Sequence, residues 1–275
     1  MPYLRQSHNV KPVRYGSDVD VMYSIAKNSE KIFGVDPDTN CLIMPLFFGF
    51  PCLDFSGKQN HGTPAGGVAY YSGSLSFDGV DDYVTIPNSI LSGMSTCAFG
   101  SWYKPDSVAD NWATIFSDRE DGSNRFLLAH WDDATDLKLF ISISNTASTY
   151  AYTTNDVFVL RQWSYIGVVY NGNGSTNSDK LKVYIDGVEK SLTFSGTLPS
   201  SIPIITNPVY IGAEIIGANY IDGLIDEVRI NNIVLTAEQT ALFYARKWDL
   251  YRRVGRTYYS VAAAPSIYIP QIMIF

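Results

Sequence analysis

The sequence predicts an all-β protein: a two-sheet antiparallel jelly-roll sandwich with one short C-terminal helix and extended N- and C-terminal arms. Three observations carry this expectation. Short segments that alternate apolar and polar residues recur from "SLSFDG" through "LIDEVRI", the mark of strands buried on one face. Clusters of Gly, Asn, Asp, Ser and Pro separate them, as turns require. Charged residues make up only 17% of the chain, while Tyr (19) and Gly (21) are abundant, a mixture that suits strands and turns more than helices.

Taken in order, residues 1–39 are mostly polar and read as an N-terminal arm, with at most one short helix in "DVMYSIAKNSEKIF". The sandwich is expected over residues 40–246, beginning at "CLIMPLFFGF". A first group of strands runs through "DYVTIP", "CAFGSWYKP", "WATIFSD", "NRFLLAHW" and "LKLFISIS". A second group runs through "WSYIGVVYN", "LKVYIDGVEKSLTF", "PVYIGAE" and "LIDEVRI". In "LKVYIDG", Leu181, Val183 and Ile185 face one way, and Lys182, Tyr184 and Asp186 the other. Asp186–Gly187 marks a hairpin, because the favoured two-residue turn needs positive φ. "TAEQTALFYARKW" is the helix: Thr236 is an N-cap, Gln239 completes a capping box, and Leu242, Phe243 and Tyr244 supply a docking surface. Residues 247–275 form a C-terminal arm with a basic patch and an apolar end, "IYIPQIMIF", which favours burial against a partner subunit.

A formal net charge of -7 argues against general nucleic-acid binding. No stretch is long and apolar enough to span a bilayer, so no membrane partner is expected. "MPYLRQSHNVKPVRYG" has no apolar run behind it and does not read as a secretion signal. The expectation is a protein made in a host cytoplasm that leaves it, if at all, inside a virion. Of the three cysteines, Cys97 reads as a buried apolar residue; Cys41 and Cys52 could pair, but three free thiols are favoured.

Four blocks, "LDFSGKQNHGT", "LSFDGVDDYVTIP", "WSYIGVVYNG…KLKVYIDGVEK" and "VYIGAE…YIDGLIDEVRINNIVLTAEQTALFYA", match in order and spacing a known pattern. Residues 40–246 resemble the laminin-G-like, concanavalin-A-like jelly roll of the pentraxin-related type. The resemblance implies two stacked antiparallel sheets, one concave and one convex. It does not decide function, because lectins, adhesion modules, glycosidases and structural parts share the fold. Phe55 replaces the small residue that the family usually has in its first loop.

Glycoside hydrolysis needs two carboxylates flanking the scissile bond. Laminarinases of this fold carry an E-x-D-x-E strand, and this chain has none. The nearest pair, Asp118 and Glu120 in "SDREDG", reads as part of a loop, and "WDDATD" as a polar turn. No phosphate loop, H-E-x-x-H or G-x-S-x-G is present, so no catalytic residue is assigned and a non-enzyme is expected. In proteins of the resembling family a structural Ca²⁺ often ties the early loop to the Asp of the last strand. Carried onto this sequence, that nominates the Asp226 side chain and the backbone of Asn60 and Gly62, with Asp54 as a further ligand. The alternative is that Asp226 caps backbone amides or pairs with Arg229 or Lys58. Glu227 is expected to alternate to the opposite face. Asp78, Asp81, Asp82 and Asp222 read as turn formers. Trp112, Trp131, Tyr150 and Tyr152 could stack on sugar rings, although core filling or subunit contact is the favoured reading.

Two functions follow. The first is a non-enzymatic structural or interaction protein, locked into an assembly of other subunits through residues 247–275 and also 1–39. This resembles the laminin-G-like decoration or tail components of tailed-phage virions. The second is a lectin-like, carbohydrate-binding module that reads surface glycans.

Overall fold

The computed structural model describes residues 28–44, 52–107, 112–132, 137–146, 149–215, 218–247 and 249. The strands, numbered in chain order, pair antiparallel into two eight-stranded sheets. Sheet A gathers β1 (Asn40–Met44), β3 (Ala69–Tyr71), β4 (Ser74–Asp78), β6 (Thr96–Pro105), β11 (Ser164–Asn171), β12 (Leu181–Ile185), β13 (Val188–Lys190) and β16 (Asp222–Asn231). Its order is β13-β12-β11-β6-β16-β4-β3; β4 pairs with the first half of β16, and β1 with the second. Sheet B gathers β2 (Thr63–Ala65), β5 (Tyr83–Ile86), β7 (Trp112–Arg119), β8 (Asn124–Asp132), β9 (Leu137–Asn145), β10 (Tyr150–Thr153), β14 (Leu192–Ser195) and β15 (Val209–Ile211). Its order is β14-β10-β9-β8-β7-β15-β5-β2. The predicted all-β sandwich is therefore the observed fold. No helix among the described residues is long and apolar enough to cross a membrane.

Period-two alternation builds the core between the sheets. Phe126 and Leu128 of β8 and Leu139, Ile141 and Ile143 of β9 meet Phe99 of β6 and Ile166 and Val168 of β11, all buried. Tyr103 and His130 bring a polar contact into this core, 3.2 Å between the phenol and Nδ1. The Asp186–Gly187 turn adopts positive φ at both residues (53° and 78°), as the hairpin signal requires. Cys41, Cys52 and Cys97 are all free thiols, and burial pushes Cys52 up to about 12.

The outer face of sheet A is covered by chain. A π-helical turn, Ser29–Phe33, and helix α2, Ala237–Ala245, pack there; a further one-turn helix, α1 (Asn177–Lys180), precedes β12. Thr236 and Gln239 form the expected capping box, with reciprocal bonds of 3.1 and 3.0 Å. Phe33 stacks on Phe243 at 4.4 Å, and the Gln239 side-chain amide donates to the carbonyls of Phe33 and Gly34. Gly167 permits this docking, since a Cβ there would stand 2.6 Å from Thr240 Cγ2. Of the segment read as an N-terminal arm, residues 28–39 thus lie on sheet A; residues 1–27 and 251–275 lie outside the described residues.

A bulge interrupts β16 between Asp226 and Arg229, and Glu227 takes φ 53°. Ile225 and Val228 both point into the core, so Asp226 and Glu227 are both turned to the outer face. The expected alternation of Glu227 away from Asp226 fails here, because the extra residue resets the period. Asp226 Oδ2 pairs with Lys247 Nζ at 2.5 Å, and Glu227 Oε2 lies 3.5 Å from Arg229 Nη2, all four side chains being largely buried. Arg229 also sits over the Phe243 ring at 4.3 Å, and Lys247 over Trp102 at 5.0 Å. Burial is the main cause that pushes Glu227 up to about 8, against the pull of Lys247 and Arg229. Because its folded value lies above its unfolded one, Glu227's contribution is fully present below about pH 4.5 and is lost as pH rises through about 8. Glu227→Gln is therefore expected to flatten the decline of melting temperature between these limits and to raise it at pH 8. Thermal denaturation across that range checks this, and an unchanged slope would contradict it.

Candidate functional site

The same alternation that fills the core leaves a second set of side chains on the outer face of sheet B. Trp112 of β7 and Trp131 of β8 are direct cross-strand partners, and their rings stack at 5.5 Å and 9°. Phe140 of β9 meets Trp112 edge-on at 4.8 Å, and Tyr152 of β10 meets Trp131 edge-on at 5.0 Å. Tyr150 lies against Phe140 at 5.3 Å. Lys138 caps the far end, its ammonium 5.8 Å from the Trp131 ring and 6.0 Å from Tyr152. Trp112 remains 39% exposed, which leaves part of a rigidly held indole open to a ligand.

Small residues form the floor beside these rings. Thr114, Ala129 and Ser142 are fully buried although they point away from the core. At one end the floor opens into a cleft of about 270 Å³, lined by Trp112, Thr114, Arg125, Phe140, Glu214 and Asn219 among others. A second bulge makes room for it. In β7 the register shifts between Thr114 and Phe116, and both Ile115 and Phe116 enter the core. The loop after β15 docks at this irregularity: Gly212 N donates to Ile115 O at 3.1 Å, and Thr114 N donates to Asn219 O at 2.9 Å. Docking carries Glu214 and Asn219 over the end of the face.

The polar end is preset by its own bonds. Glu214 forms an ion pair with Arg119 through one oxygen and accepts from the Asn219 side-chain amide through the other. Arg125 Nε donates to Ser142 Oγ at 2.9 Å, and Ser142 donates onward to Thr149 O at 3.0 Å. Glu214 is the one carboxylate among the residues lining the cleft, whereas glycoside hydrolysis uses two.

Of the aromatic residues singled out in the sequence, Trp112, Trp131, Tyr150 and Tyr152 are brought together on this face. Phe140, Lys138, Arg125, Glu214 and Asn219 were missed. The signal that could have found the first three is the outward half of "NRFLLAHW" and "LKLFISIS". Arg125, Trp131, Lys138 and Phe140 stand opposite to the core-facing positions, where a solvated sheet would show small polar residues throughout.

The four residues nominated for calcium fall into two places. Asp54, Asn60 and Gly62 share the loop after β1. Asp54 accepts from Ile43 N (2.9 Å), Ser56 N (2.8 Å), Ser56 Oγ (2.8 Å) and Asn60 N (2.9 Å). The Asn60 side-chain amide donates to Cys41 O, and Gly62 N to Cys52 O at 2.7 Å. Asp226 lies on the outer face of sheet A, against the Lys247 ammonium. Four donors thus take up the Asp54 carboxylate, and an ammonium faces Asp226, so in this arrangement the nominated carboxylates do not fit a shared calcium cage. Asp118 and Glu120 are also committed. Asp118 is buried and accepts from Ser89 Oγ and the amides of Ile90 and Leu91, while Glu120 accepts from Thr206 and Asn207. Asp78, Asp81 and Asp82 bring carboxylate oxygens within 4.8 Å of one another at the β4–β5 turn, where Asp82 Oδ2 accepts from Asp78 N at 2.9 Å.

Asp54→Ala would leave the amides of Ile43 and Asn60 unsatisfied and should cost about 2–4 kcal/mol of stability. Denaturant unfolding with and without Ca²⁺ checks it. Calcium is expected not to change the wild-type midpoint by more than the variant's, and a large calcium-dependent gain confined to the wild type would contradict the hydrogen-bonded reading.

Comparison with known proteins agrees with the fold. No curated protein matches the sequence significantly. Domain 4 of AbnA, an extracellular arabinanase from Geobacillus stearothermophilus solved in complex with arabinotriose, superimposes with a TM-score of 0.59 at 20% identity, covering 78% of this chain and 98% of that one. The receptor-binding domain of a botulinum neurotoxin C/D mosaic serotype superimposes with a TM-score of 0.58 at 16% identity, covering 77% of this chain and 52% of that one. The ligand-binding domain of botulinum neurotoxin serotype D, solved with N-acetylneuraminic acid, gives 0.58 at 15% identity, covering 77% and 52%. The family model described as the concanavalin A-like lectin/glucanases superfamily matches residues 78–241, and the chain belongs to that family.

Proposed function

We propose that the protein is a non-enzymatic binding module that holds a glycan on the outer face of sheet B. The observation that carries this reading is the stacked Trp112–Trp131 pair, open at Trp112 and continuous with a polar-ended cleft. A sugar ring has an apolar face of C–H groups that packs on an indole, and hydroxyls around its rim that need hydrogen-bond partners. The face offers both, in a concavity set by a rigid sheet. The AbnA domain, whose structure contains arabinotriose, supports the reading by analogy of fold.

Assembly through the arms is kept as a second, compatible reading, with a virion decoration or tail component as its setting. One observation favours it: residues 28–39 and Lys247 both lie on the outer face of sheet A, the side opposite the aromatic cleft. Arms anchored there would leave the cleft facing outward.

A glycan array probed with the full chain, followed by calorimetry on the best sugar, tests the first reading. Trp112→Ala should weaken binding by roughly 10- to 100-fold, in line with loss of a central aromatic anchor, and leave the melting temperature within a few degrees. Undiminished affinity in that variant would overturn the placement. Sedimentation tests the second: deleting residues 251–275 should lower the oligomeric state and leave glycan affinity intact, and an unchanged mass would contradict it.

A further inference from the structure

We propose that the sugar held in this cleft carries a carboxylate, seated on the Arg125 guanidinium with its ring against Trp112. The inference rests on the glycan reading above and narrows it to a substrate class.

The geometry of Arg125 is the first ground. Its Nε is used by Ser142 Oγ, which fixes the plane of the guanidinium, while Nη1 and Nη2 make no hydrogen bond among the described residues. The side chain is half-buried and lines the cleft. A fixed planar fork with two unused ends matches a carboxylate, which can accept two parallel N–H bonds. Hydroxyls could also accept from it, but they would not neutralise it.

Charge is the second ground. Outward positions of β7 to β10 hold Arg119, Arg125 and Lys138 and, among the described residues, no carboxylate. Glu214 is the only anion brought in from the loop, and both its oxygens are taken, by Arg119 and Asn219. Arg125 thus lines the cleft beside a single carboxylate whose two oxygens are already bonded to other groups. Burial and the neighbouring Arg119 both disfavour the charged form of Arg125, and Glu214 offsets them only in part. An incoming carboxylate would complete that neutralisation in a partly desolvated site, where an ion pair is worth more than at an open surface.

Position is the third. Trp112 and Arg125 line the same cleft. A pyranose whose C–H face rests on the indole can therefore direct a ring carboxylate toward the fork without leaving the floor. Asn219 stands beside them as a further donor for hydroxyls.

The test is calorimetry of the full chain with trigalacturonate and with its methyl ester, which has the same rings and no charge, and with sialyllactose beside lactose. The acid of at least one pair is expected to bind tenfold or more tighter than its neutral counterpart, with affinity falling as salt rises. Arg125→Gln should shrink the ratio of acid to neutral-sugar affinity to about one, whatever it does to the neutral sugar itself, and Arg125→Lys should restore only part of that ratio, because the fork is gone. Equal binding of acid and neutral partner in the unmodified protein would overturn this inference and leave the glycan reading standing. Failure of every acidic and neutral sugar to bind would overturn both.

Discussion

The alternation of side chains along β7, β8, β9 and β10, interrupted once in β7, is the constraint on which both layers of this protein depend. Every second residue goes to the core, and the other half must be placed outside on the same few strands. A sheet that only needed to be soluble would fill those outer places with small polar or charged residues. Here the outer places hold two tryptophans, a phenylalanine and two tyrosines, packed edge to face and stacked over a floor of Thr114, Ala129 and Ser142. Burial of Phe126, Leu128, Leu139 and Ile141 fixes the register, since a slip of one residue would exchange the two faces. The core therefore positions the aromatic face without touching it.

Two bulges then break the alternation, and each break is local and used. In β7 the irregularity at Thr114–Phe116 gives residues 212–215 and 218–221 a place to dock at one end of the cleft. In β16 the bulge gathers Asp226, Glu227 and Arg229 under α2 and Lys247. Holding Glu227 at positive φ costs on the order of 1–3 kcal/mol, and burying charges costs more unless they are paired. The pairing with Lys247, and the cation–ring contacts of Arg229 and Lys247, offset that cost and seat the final helix. Among the described residues the two sides of the sandwich differ: the outer face of sheet A is covered by the Ser29–Phe33 turn and α2, while Trp112 on the outer face of sheet B stays partly exposed.

Much of this was legible in the sequence wherever the determinant is local. Thr236 and Gln239 are three residues apart, and their capping box forms as read. Asp186–Gly187 turns as its dipeptide predicts. Alternation in "NRFLLAHW" and "LKLFISIS" gives two of the cleft's strands. The rest depends on partners far along the chain. Arg119 meets Glu214 across 95 residues, and the Glu227 bulge is defined only by the registers of the strands beside it. Asp226 looked like a ligand for an early-loop metal because family resemblance joins those segments. Its Lys247 partner lies beyond the sandwich pattern, and no periodicity points to it. Asp54, equally acidic in appearance, is used as a knot for four donors of the chain.

The central claim is that ligand sits on the outer face of sheet B. Amide hydrogen exchange of the full chain, with and without a bound oligosaccharide, tests it most directly. The account predicts new protection in β7, β8, β9 and the 212–221 loop, with β11, β12 and α2 unaffected. Protection concentrated on the outer face of sheet A, or at the β4–β5 turn, would contradict it.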